Sequence, residues 1–344
     1  MILAGLQQAV CRVDSGSGGP DEVPVLQNPF AGIAIGTPHM TTLASGVGYV
    51  DLDFLGIPEI IATALIESPS GVALIDPGPS TTLGNLRSAL DRKGISVQDV
   101  RQILVTHIHL DHAGAVGTLV RENPAIEVFV HERGARHMVD PAKLLASAER
   151  LYGDDMERLW GEFLPVPEGR IRALQGEERV TVGGRDLHVA YTPGHASHHV
   201  SYFDPASRVA FVGDTAGIRR GSGLCVMPPT PPPDVDLEAW QGSADRILAW
   251  DPDTLFLTHF GAFHGARLHF TDLADRLALW SRMVQRLLAD ATLDDEGRLQ
   301  AFVREAMLEL RRKVGEVEAD RYSRAGRLDY SWQGLARYWR KKSV

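Results

Sequence analysis

Short apolar runs rich in β-branched residues alternate with turn signals through the first 260 residues and predict a series of strands. A Ser-Pro-Ser-Gly turn at residues 68–71 separates the first two runs, and a Gly-Gly turn at residues 183–184 divides a later hairpin. The predicted strands are residues 60–67, 72–75, 101–105, 126–130, the hairpin 180–189, the pair 200–203 and 208–212, and 254–257.

The segments between these strands show the apolar periodicity of helices, and the C-terminal part of the chain shows only that periodicity. Residues 83–90, 114–121 and 141–163 predict helices in the first half of the chain. From Thr271 onward apolar side chains recur at intervals of three and four, which is typical of amphipathic helices packed on a core. The first such stripe is Leu273, Leu277, Trp280, Val284 and Leu288, and the second is Leu299, Phe302, Val303, Ala306 and Leu310.

This pattern predicts an α/β fold with an accessory helical layer. Residues 12–40 are rich in Gly, Pro, Ser and Asp without a sustained period, which indicates an irregular segment. We therefore expect an irregular N-terminal extension at residues 1–43, an α/β domain at residues 44–270, and a C-terminal helical region at residues 271–344.

Composition narrows the functional classes. The formal net charge of −9 disfavours a nucleic-acid partner, because phosphate binding needs concentrated Lys and Arg. The two cysteines, Cys11 and Cys225, are too few for a disulfide framework and favour a reducing compartment. The N-terminus lacks the basic region of a signal peptide, and no later run is apolar enough to cross a membrane. We expect a cytoplasmic protein with no membrane partner.

The densest candidate chemistry lies directly after the strand at residues 101–105. His107, His109, Asp111 and His112 fall within six residues, where a strand end would deliver them to the edge of a sheet. Imidazole together with carboxylate suits zinc, iron or manganese, and the absence of Cys from the cluster argues against a closed structural zinc site. The cluster predicts an accessible metal centre.

Three later residues repeat the same context of an apolar strand followed by a potential ligand and a loop. His195 follows Thr192-Pro193-Gly194, Asp214 follows a strand ending at Val212, and His259 follows the strand at residues 254–257. The repeated context indicates that all of these side chains meet at one edge of the fold.

In this order the motifs between Ala44 and Gly265 resemble those of the metallo-β-lactamase superfamily, and in particular its glyoxalase II-like branch. The resemblance implies a four-layer αββα sandwich, here with an additional C-terminal helical region. It also implies a dinuclear site in which His107, His109 and His195 hold one divalent ion, Asp111, His112 and His259 hold the second, and Asp214 bridges both. Asp111 and Asp214 would be the catalytic carboxylates, and a hydroxide between the ions would be the nucleophile. Zinc is the expected metal, with iron and manganese as alternatives.

The same resemblance assigns supporting roles. Asp76 is expected to accept a hydrogen bond from a ligand imidazole, and His199 to lie beside a ligand as well. Residues that could meet the substrate are Tyr152 and Trp160 as a lid over the pocket, Arg219 facing an anionic group, Cys225 in the lining, and His264. Ordinary packing or a solvated loop remains the alternative for each of these five residues.

These features predict hydrolysis of a small ester, thioester or lactone, so the expected partner is a small-molecule acyl substrate. The aromatic residues near the C-terminus, Tyr330, Trp332 and Trp339, are compatible with a homodimer. Glyoxalase II enzymes usually carry a Cys-Gly-Arg segment after the Gly-Asp-Thr motif, whereas this chain continues with Ala216-Gly217-Ile218, which argues against glutathione thioesters. The alternative is a mononuclear iron oxygenase resembling the persulfide dioxygenases. Metal content separates the two, since a hydrolase of this kind holds two ions and the oxygenase holds one iron.

Overall fold

The computed structural model describes residues 40–342, which belong to one compact unit. Two sheets form its centre. The first contains seven strands in sequence order, antiparallel from β1 to β4 and parallel from β4 to β7. These strands are β1 Met40–Ala44, β2 Val47–Asp51, β3 Ala62–Ser68, β4 Gly71–Ile75, β5 Val100–Leu104, β6 Glu127–His131 and β7 Ile171–Leu174.

The second sheet contains six strands in the order β13-β12-β11-β10-β9-β8. Neighbouring strands of this sheet are antiparallel, except that β11 and β12 are parallel. The strands are β8 Arg179–Val182, β9 Arg185–Tyr191, β10 Val200–Asp204, β11 Val209–Phe211, β12 Thr254–Leu257 and β13 Gly261–Phe263.

Helices cover the outer faces of both sheets. They are α1 Leu83–Asp91, α2 Leu110–Ala113, α3 Val116–Glu122, α4 Glu132–Val139, α5 Ala142–Tyr152, α6 Met156–Trp160, α7 Leu237–Ala249, α8 Ala266–Ala289, α9 Asp295–Val314, α10 Glu316–Ala325 and α11 Leu328–Lys342. Between residues 40 and 342 no helix is both long and apolar enough to cross a membrane.

Successive side chains of a strand point to opposite faces of its sheet, and this explains how the sheets and helices pack in layers. In β3, Ala64 and Ile66 point into a cluster that also contains Phe211 and Phe256 of the second sheet, whereas Leu65 points into the cluster shared with α1 and α3. Strands buried on both faces read as continuous apolar runs, which is why β3 and β4 are conspicuous in the sequence. The outer face of the second sheet packs on α7 and α8. The predicted four-layer αββα sandwich with C-terminal helices is thus confirmed.

The C-terminal helices form a core of their own that is continuous with the sandwich. Trp280, Phe302 and Leu310 lie in this core, while Leu273 and Phe270 at the start of α8 pack against the second sheet. The predicted boundary at residue 270 falls inside α8, and β1 begins at Met40, four residues before the predicted start of the α/β domain. Residues 1–39 lie outside the described part of the chain, and the domain division stays a prediction.

Candidate metal centre

The seven predicted ligands meet at one edge of the sandwich because of how the strands are paired. β4 and β5 are parallel in the first sheet, so Asp76 and the segment 106–112 emerge at the same edge. β11 and β12 are parallel in the second sheet, so Asp214 and His259 emerge together as well. β9 and β11 are both antiparallel to β10, so the loop after β9, which carries His195, leaves at the same edge, and the loops after five strands converge there.

One group of possible ligand atoms consists of three imidazole nitrogens. His107 Nε2 and His195 Nε2 each lie 2.9 Å from His109 Nδ1. Nitrogens bound to a tetrahedral zinc ion at about 2.0–2.1 Å would lie about 3.3 Å apart, so the observed spacing is close to that of a coordination sphere. The three rings surround a single point that a metal ion can occupy.

A second group contains one carboxylate and two imidazoles, Asp111, His112 and His259. His259 Nε2 lies 3.3 Å from Asp111 Oδ2, and His112 Nε2 lies 3.9 Å from the same oxygen. This group is chemically different from the first, because its carboxylate brings a negative charge.

Asp214 connects the two groups. Its Oδ2 atom lies 3.4 Å from His195 Nε2, and its Oδ1 atom lies 3.2 Å from His112 Nε2 and 3.6 Å from His259 Nε2. Each oxygen therefore faces a different group, which is the arrangement that a carboxylate shared by two cations needs.

Hydrogen bonds behind the rings fix their tautomers. The Nδ1–H groups of His195 and His259 donate to the carbonyl oxygens of Pro229, at 2.8 Å, and Ile60, at 2.7 Å. His112 Nδ1–H donates to Asp76 Oδ2 at 2.9 Å. With Nδ1 protonated in each ring, the lone pair is on Nε2 and points to the centre.

Asp76, predicted to accept a hydrogen bond from a ligand imidazole, lies behind the ring of the candidate ligand His112. Its fully buried carboxylate accepts hydrogen bonds from the Thr106 backbone at 2.8 Å, from the Thr106 hydroxyl at 2.7 Å and from the Thr258 hydroxyl at 2.9 Å, in addition to His112. Sequence reasoning missed both threonines. Each directly precedes a ligand candidate, His107 or His259, and the repeated Thr-His pair was the available signal.

His199 supports the centre by packing. Its ring stacks on that of His107 with centroids 5.0 Å apart, and its Nδ1 lies 2.9 Å from the Thr192 hydroxyl and 3.1 Å from the Thr215 hydroxyl. It belongs to none of the groups whose atoms could share an ion among residues 40–342.

The candidate ligand imidazoles differ in the direction in which their pKa values are shifted. Burial lowers the pKa of His107 well below its ordinary value and that of His109 to about 4, so both rings are neutral and able to bind a metal. Burial also acts on His112 and His259, but Asp214 and Asp111 outweigh it and raise their pKa values. The carboxylate half of the centre therefore favours added positive charge, which divalent cations supply.

Two buried polar atoms at the centre lack hydrogen-bond partners, and this bears on whether the site fits a metal. His112 Nε2 and Asp214 Oδ1 make no hydrogen bond to any residue in the described part of the chain, although they face each other. A buried polar atom without a partner costs about 1–3 kcal/mol, so such pairs are rare in the absence of a ligand. A cation between the two atoms would satisfy both, and the residues present therefore fit a metal.

The two predicted lid residues, Tyr152 and Trp160, contact each other. Trp160 stacks on Phe54 with centroids 5.6 Å apart and meets the ring of Tyr152 edge to face at 5.0 Å. Tyr152 in turn contacts Tyr330 of α11 at 5.5 Å. Phe54 and Tyr330 were not predicted, because neither belongs to a motif.

Three predicted pocket residues point elsewhere. The guanidinium of Arg219 stacks on Phe263 at 4.2 Å, and Cys225 is 1 % exposed within the core of the C-terminal helices. His264 lies at the opposite edge of the sheet, because β13 runs antiparallel to β12 and brings its Nδ1 within 2.8 Å of the Asp253 carbonyl oxygen. None of these contacts joins the three residues to the candidate ligands, and their place in a substrate pocket stays a prediction.

Comparison with known proteins agrees with the fold and the ligand motifs. The family model of the metallo-beta-lactamase superfamily matches residues 56–259. A metallo-beta-lactamase fold-containing protein of Sulfurisphaera tokodaii is 28% identical over 207 residues, which are 59% of this chain and 74% of that one. A hydroxyacylglutathione hydrolase of a Methylobacterium species is 28% identical over 275 residues, 75% of this chain and 92% of that one.

Other hydroxyacylglutathione hydrolases match over a smaller part. The chain spans less than half of the Legionella pneumophila enzyme, which is 29% identical over 153 residues, 44% of this chain and 46% of that one. Among solved structures, a metallo-beta-lactamase family protein of Thermus thermophilus is 21% identical with a TM-score of 0.62, over 88% of this chain and 95% of that one. This likeness supports the fold alone.

The match to the family model extends over more than half of the chain and includes every predicted ligand from His107 to His259. The chain belongs to the metallo-beta-lactamase superfamily and is a metal-dependent hydrolase with a buried, histidine-rich site.

Proposed function

We propose that this protein is a dinuclear hydrolase of a small ester, thioester or lactone. The observation that carries the proposal is Asp214, whose two oxygens face different groups of ligands. His107, His109 and His195 would hold one ion, Asp111, His112 and His259 the other, and Asp214 both. Zinc suits this mixture of imidazole and carboxylate, with iron and manganese as alternatives.

The chain's own residues prepare the centre for this chemistry. Divalent ions bound there would lower the pKa of water to about 7 and polarise a carbonyl oxygen. Asp76 holds the proton of His112 on Nδ1, and the carbonyls of Pro229 and Ile60 do the same for His195 and His259. These fixed contacts keep the ligand atoms in place without reorganisation during the reaction.

An acyl substrate is supported by several relatives named hydroxyacylglutathione hydrolase. Glutathione itself is a weaker candidate. Arg219, the basic residue predicted to meet an anionic substrate, stacks on Phe263 instead, and the Ala-Gly-Ile segment replaces the usual Cys-Gly-Arg. We therefore favour a small acyl compound without a long anionic carrier.

The persulfide dioxygenase-like alternative needs one iron held by part of this set. The second group, Asp111, His112 and His259, argues against it, since all three side chains converge within reach of one ion. One iron per chain with oxygen consumption would favour the oxygenase.

The test is turnover of a panel of nitrophenyl esters, acyl thioesters and lactones by the metal-loaded protein. We expect hydrolysis of at least one class, its loss in His195→Ala, and an unchanged rate in the matched control His264→Ala, whose ring lies at the opposite sheet edge. If no member of the panel is hydrolysed, the acyl-hydrolase proposal fails.

A further inference from the structure

Two neighbouring loops hold His259, a candidate ligand in the second group. Its Nδ1–H group donates to the carbonyl oxygen of Ile60 at 2.7 Å. Its own carbonyl oxygen accepts a hydrogen bond from the backbone N–H of Arg219 at 2.8 Å, and the N–H of Phe260 donates to the carbonyl oxygen of Arg219 at 3.2 Å. The orientation of the His259 imidazole therefore depends on the positions of the loops that carry Ile60 and Arg219.

An ion pair joins these two loops. Arg220 is next to Arg219 in the chain, and its Nη2 atom lies 3.3 Å from Oε2 of Glu59, which directly precedes Ile60. The contacts form a closed circuit, which leads from the imidazole of His259 through one loop to the other and back to the His259 backbone. We define Glu59, Ile60, Arg219 and Arg220 as the His259 clamp.

The backbone conformation of Glu59 needs support from its surroundings. Its φ angle is 60°, in the left-handed region that a residue with a side chain adopts only at a cost in free energy. Its N–H donates to Asp51 Oδ2 at 2.7 Å, and its side chain pairs with Arg220. This turn immediately precedes the carbonyl group of Ile60. Loss of the Arg220 contact would therefore allow Glu59 to relax and the carbonyl group to move away from His259.

Helix α10 holds Arg220 in place. Arg220 Nε lies 2.9 Å from Glu318 Oε1, and the backbone N–H of Arg220 donates to the Tyr322 hydroxyl at 2.8 Å. The Arg220 side chain is only 2 % exposed, and in the described part of the chain its Nη1 atom has no hydrogen-bond partner. The guanidinium thus depends on Glu59 and Glu318, because removing either carboxylate leaves a buried charge poorly compensated.

We infer that Arg220 is a positioning residue for His259, and that it sets the affinity of the second group of ligands for its metal ion. The inference rests on the proposed dinuclear site and adds residues that tune one half of it. Contacts behind a ligand change metal affinity because they hold the imidazole in the orientation that coordination needs. Arg220 acts through Glu59 and Ile60 and does not itself bind the ion.

The effect of the clamp should be confined to the second group. In the first group, the proton of His195 is fixed by the carbonyl oxygen of Pro229 instead. The contribution of α10 is made by polar contacts of Glu318 and Tyr322, and not by the apolar packing of the C-terminal helices. Variants of the clamp should therefore separate the two metal sites.

Stepwise zinc binding tests the inference. Metal-free protein is titrated with zinc in competition with a chromogenic chelator, and His259→Ala identifies the step that belongs to the second group. Arg220→Met removes the cation but keeps an unbranched side chain. We expect it to weaken that step roughly tenfold and to leave the other step within about twofold. The matched control is Glu316→Gln, an exposed carboxylate of α10 that lies 3.6 Å from Arg311, and it should leave both steps within about twofold.

Variants of the two carboxylates carry the test if Arg220→Met does not fold. Glu59→Gln and Glu318→Gln change partly exposed side chains without altering their size, and each should weaken the same step roughly threefold, because a charge-assisted contact to Arg220 is lost. Each should have little further effect in folded Arg220→Met, since all three residues act through one guanidinium. Independent, additive effects would exclude the positioning role.

The outcomes distinguish this inference from the dinuclear proposal. Two-step saturation with an unchanged affinity of the second group in the clamp variants overturns the inference alone. Equal weakening of both steps also overturns it, because a merely structural clamp would affect the whole centre. Saturation of the wild-type protein by a single ion would contradict the dinuclear proposal and this inference together.

Discussion

The metal centre and the C-terminal helical core differ in the kind of side chain that they bury. At the centre, His107, His112 and Asp76 are fully buried polar groups that need partners supplied by strand ends far apart in the sequence. In the helical core, Phe302 and Leu310 are equally buried but need only apolar neighbours. The centre therefore depends on residue identity at single positions, whereas the helical core depends on a periodic pattern that many residues satisfy.

Tyr152, a predicted lid residue, is contacted by the C-terminal helices. The ring of Tyr330 in α11 meets that of Tyr152 edge to face, and the Tyr330 hydroxyl donates to the carbonyl oxygen of Leu151, 179 residues away in the sequence. The candidate ligands thus come from the motifs, whereas a contact to a predicted lid residue comes from the region outside them. The predictions below separate the two contributions.

The largest expected effect is that of removing the shared carboxylate. Asp214→Ala should lower activity by on the order of 10³-fold and reduce the metal content below that of the wild type, because two cations would then repel each other without an anion between them. Elemental analysis of the purified variant checks this. Full metal content in Asp214→Ala would contradict the assignment.

In the helical core, Phe302→Ala should destabilise the fold without affecting the ligands. Phe302 is fully buried and packs against Trp280 and Trp332 at 5.7 and 5.8 Å. We expect the free energy of unfolding to fall by about 3–5 kcal/mol in chemical denaturation. The control Leu308→Ala, half-exposed on the same helix, should change it by less than about 0.5 kcal/mol. If the folded Phe302→Ala protein lost its metal, the metal centre would depend on the helical core, contrary to this comparison.

A smaller effect is expected from the residue behind the ligands. Asp76→Asn keeps the shape of the side chain but weakens its hold on the His112 proton, so metal affinity should fall roughly 10- to 100-fold while both ions still bind at saturation. Competition with a chromogenic chelator measures the affinity. Asp253→Asn, an exposed carboxylate at the far sheet edge, is the control. Wild-type affinity in Asp76→Asn would remove Asp76 from this role.

The sequence predicted the strands whose apolar runs are buried on both faces, and it predicted the ligands because each follows such a strand. It missed the strands β1, β2, β7 and β13 and the helices α4 and α7, the last of which follows a proline-rich loop and contains Gly242. Such elements depend on tertiary packing more than on a local period.

The direction of single side chains was harder to predict. Whether His264 faces the centre depends on the antiparallel pairing of β12 with β13, and whether Arg219 does depends on its stacking on Phe263. Neither contact has a local signal. The same is true of Tyr330, whose place beside Tyr152 follows from how α11 packs on the rest of the chain.

The most direct measurement is the number of metal ions per chain in the purified wild-type protein, determined by elemental analysis together with protein quantification. Seven side chains arranged in two groups around Asp214 predict about two divalent ions per chain, with saturation in two steps when the stripped protein is titrated with zinc. Saturation at a single ion, with all seven side chains intact, would contradict the dinuclear account.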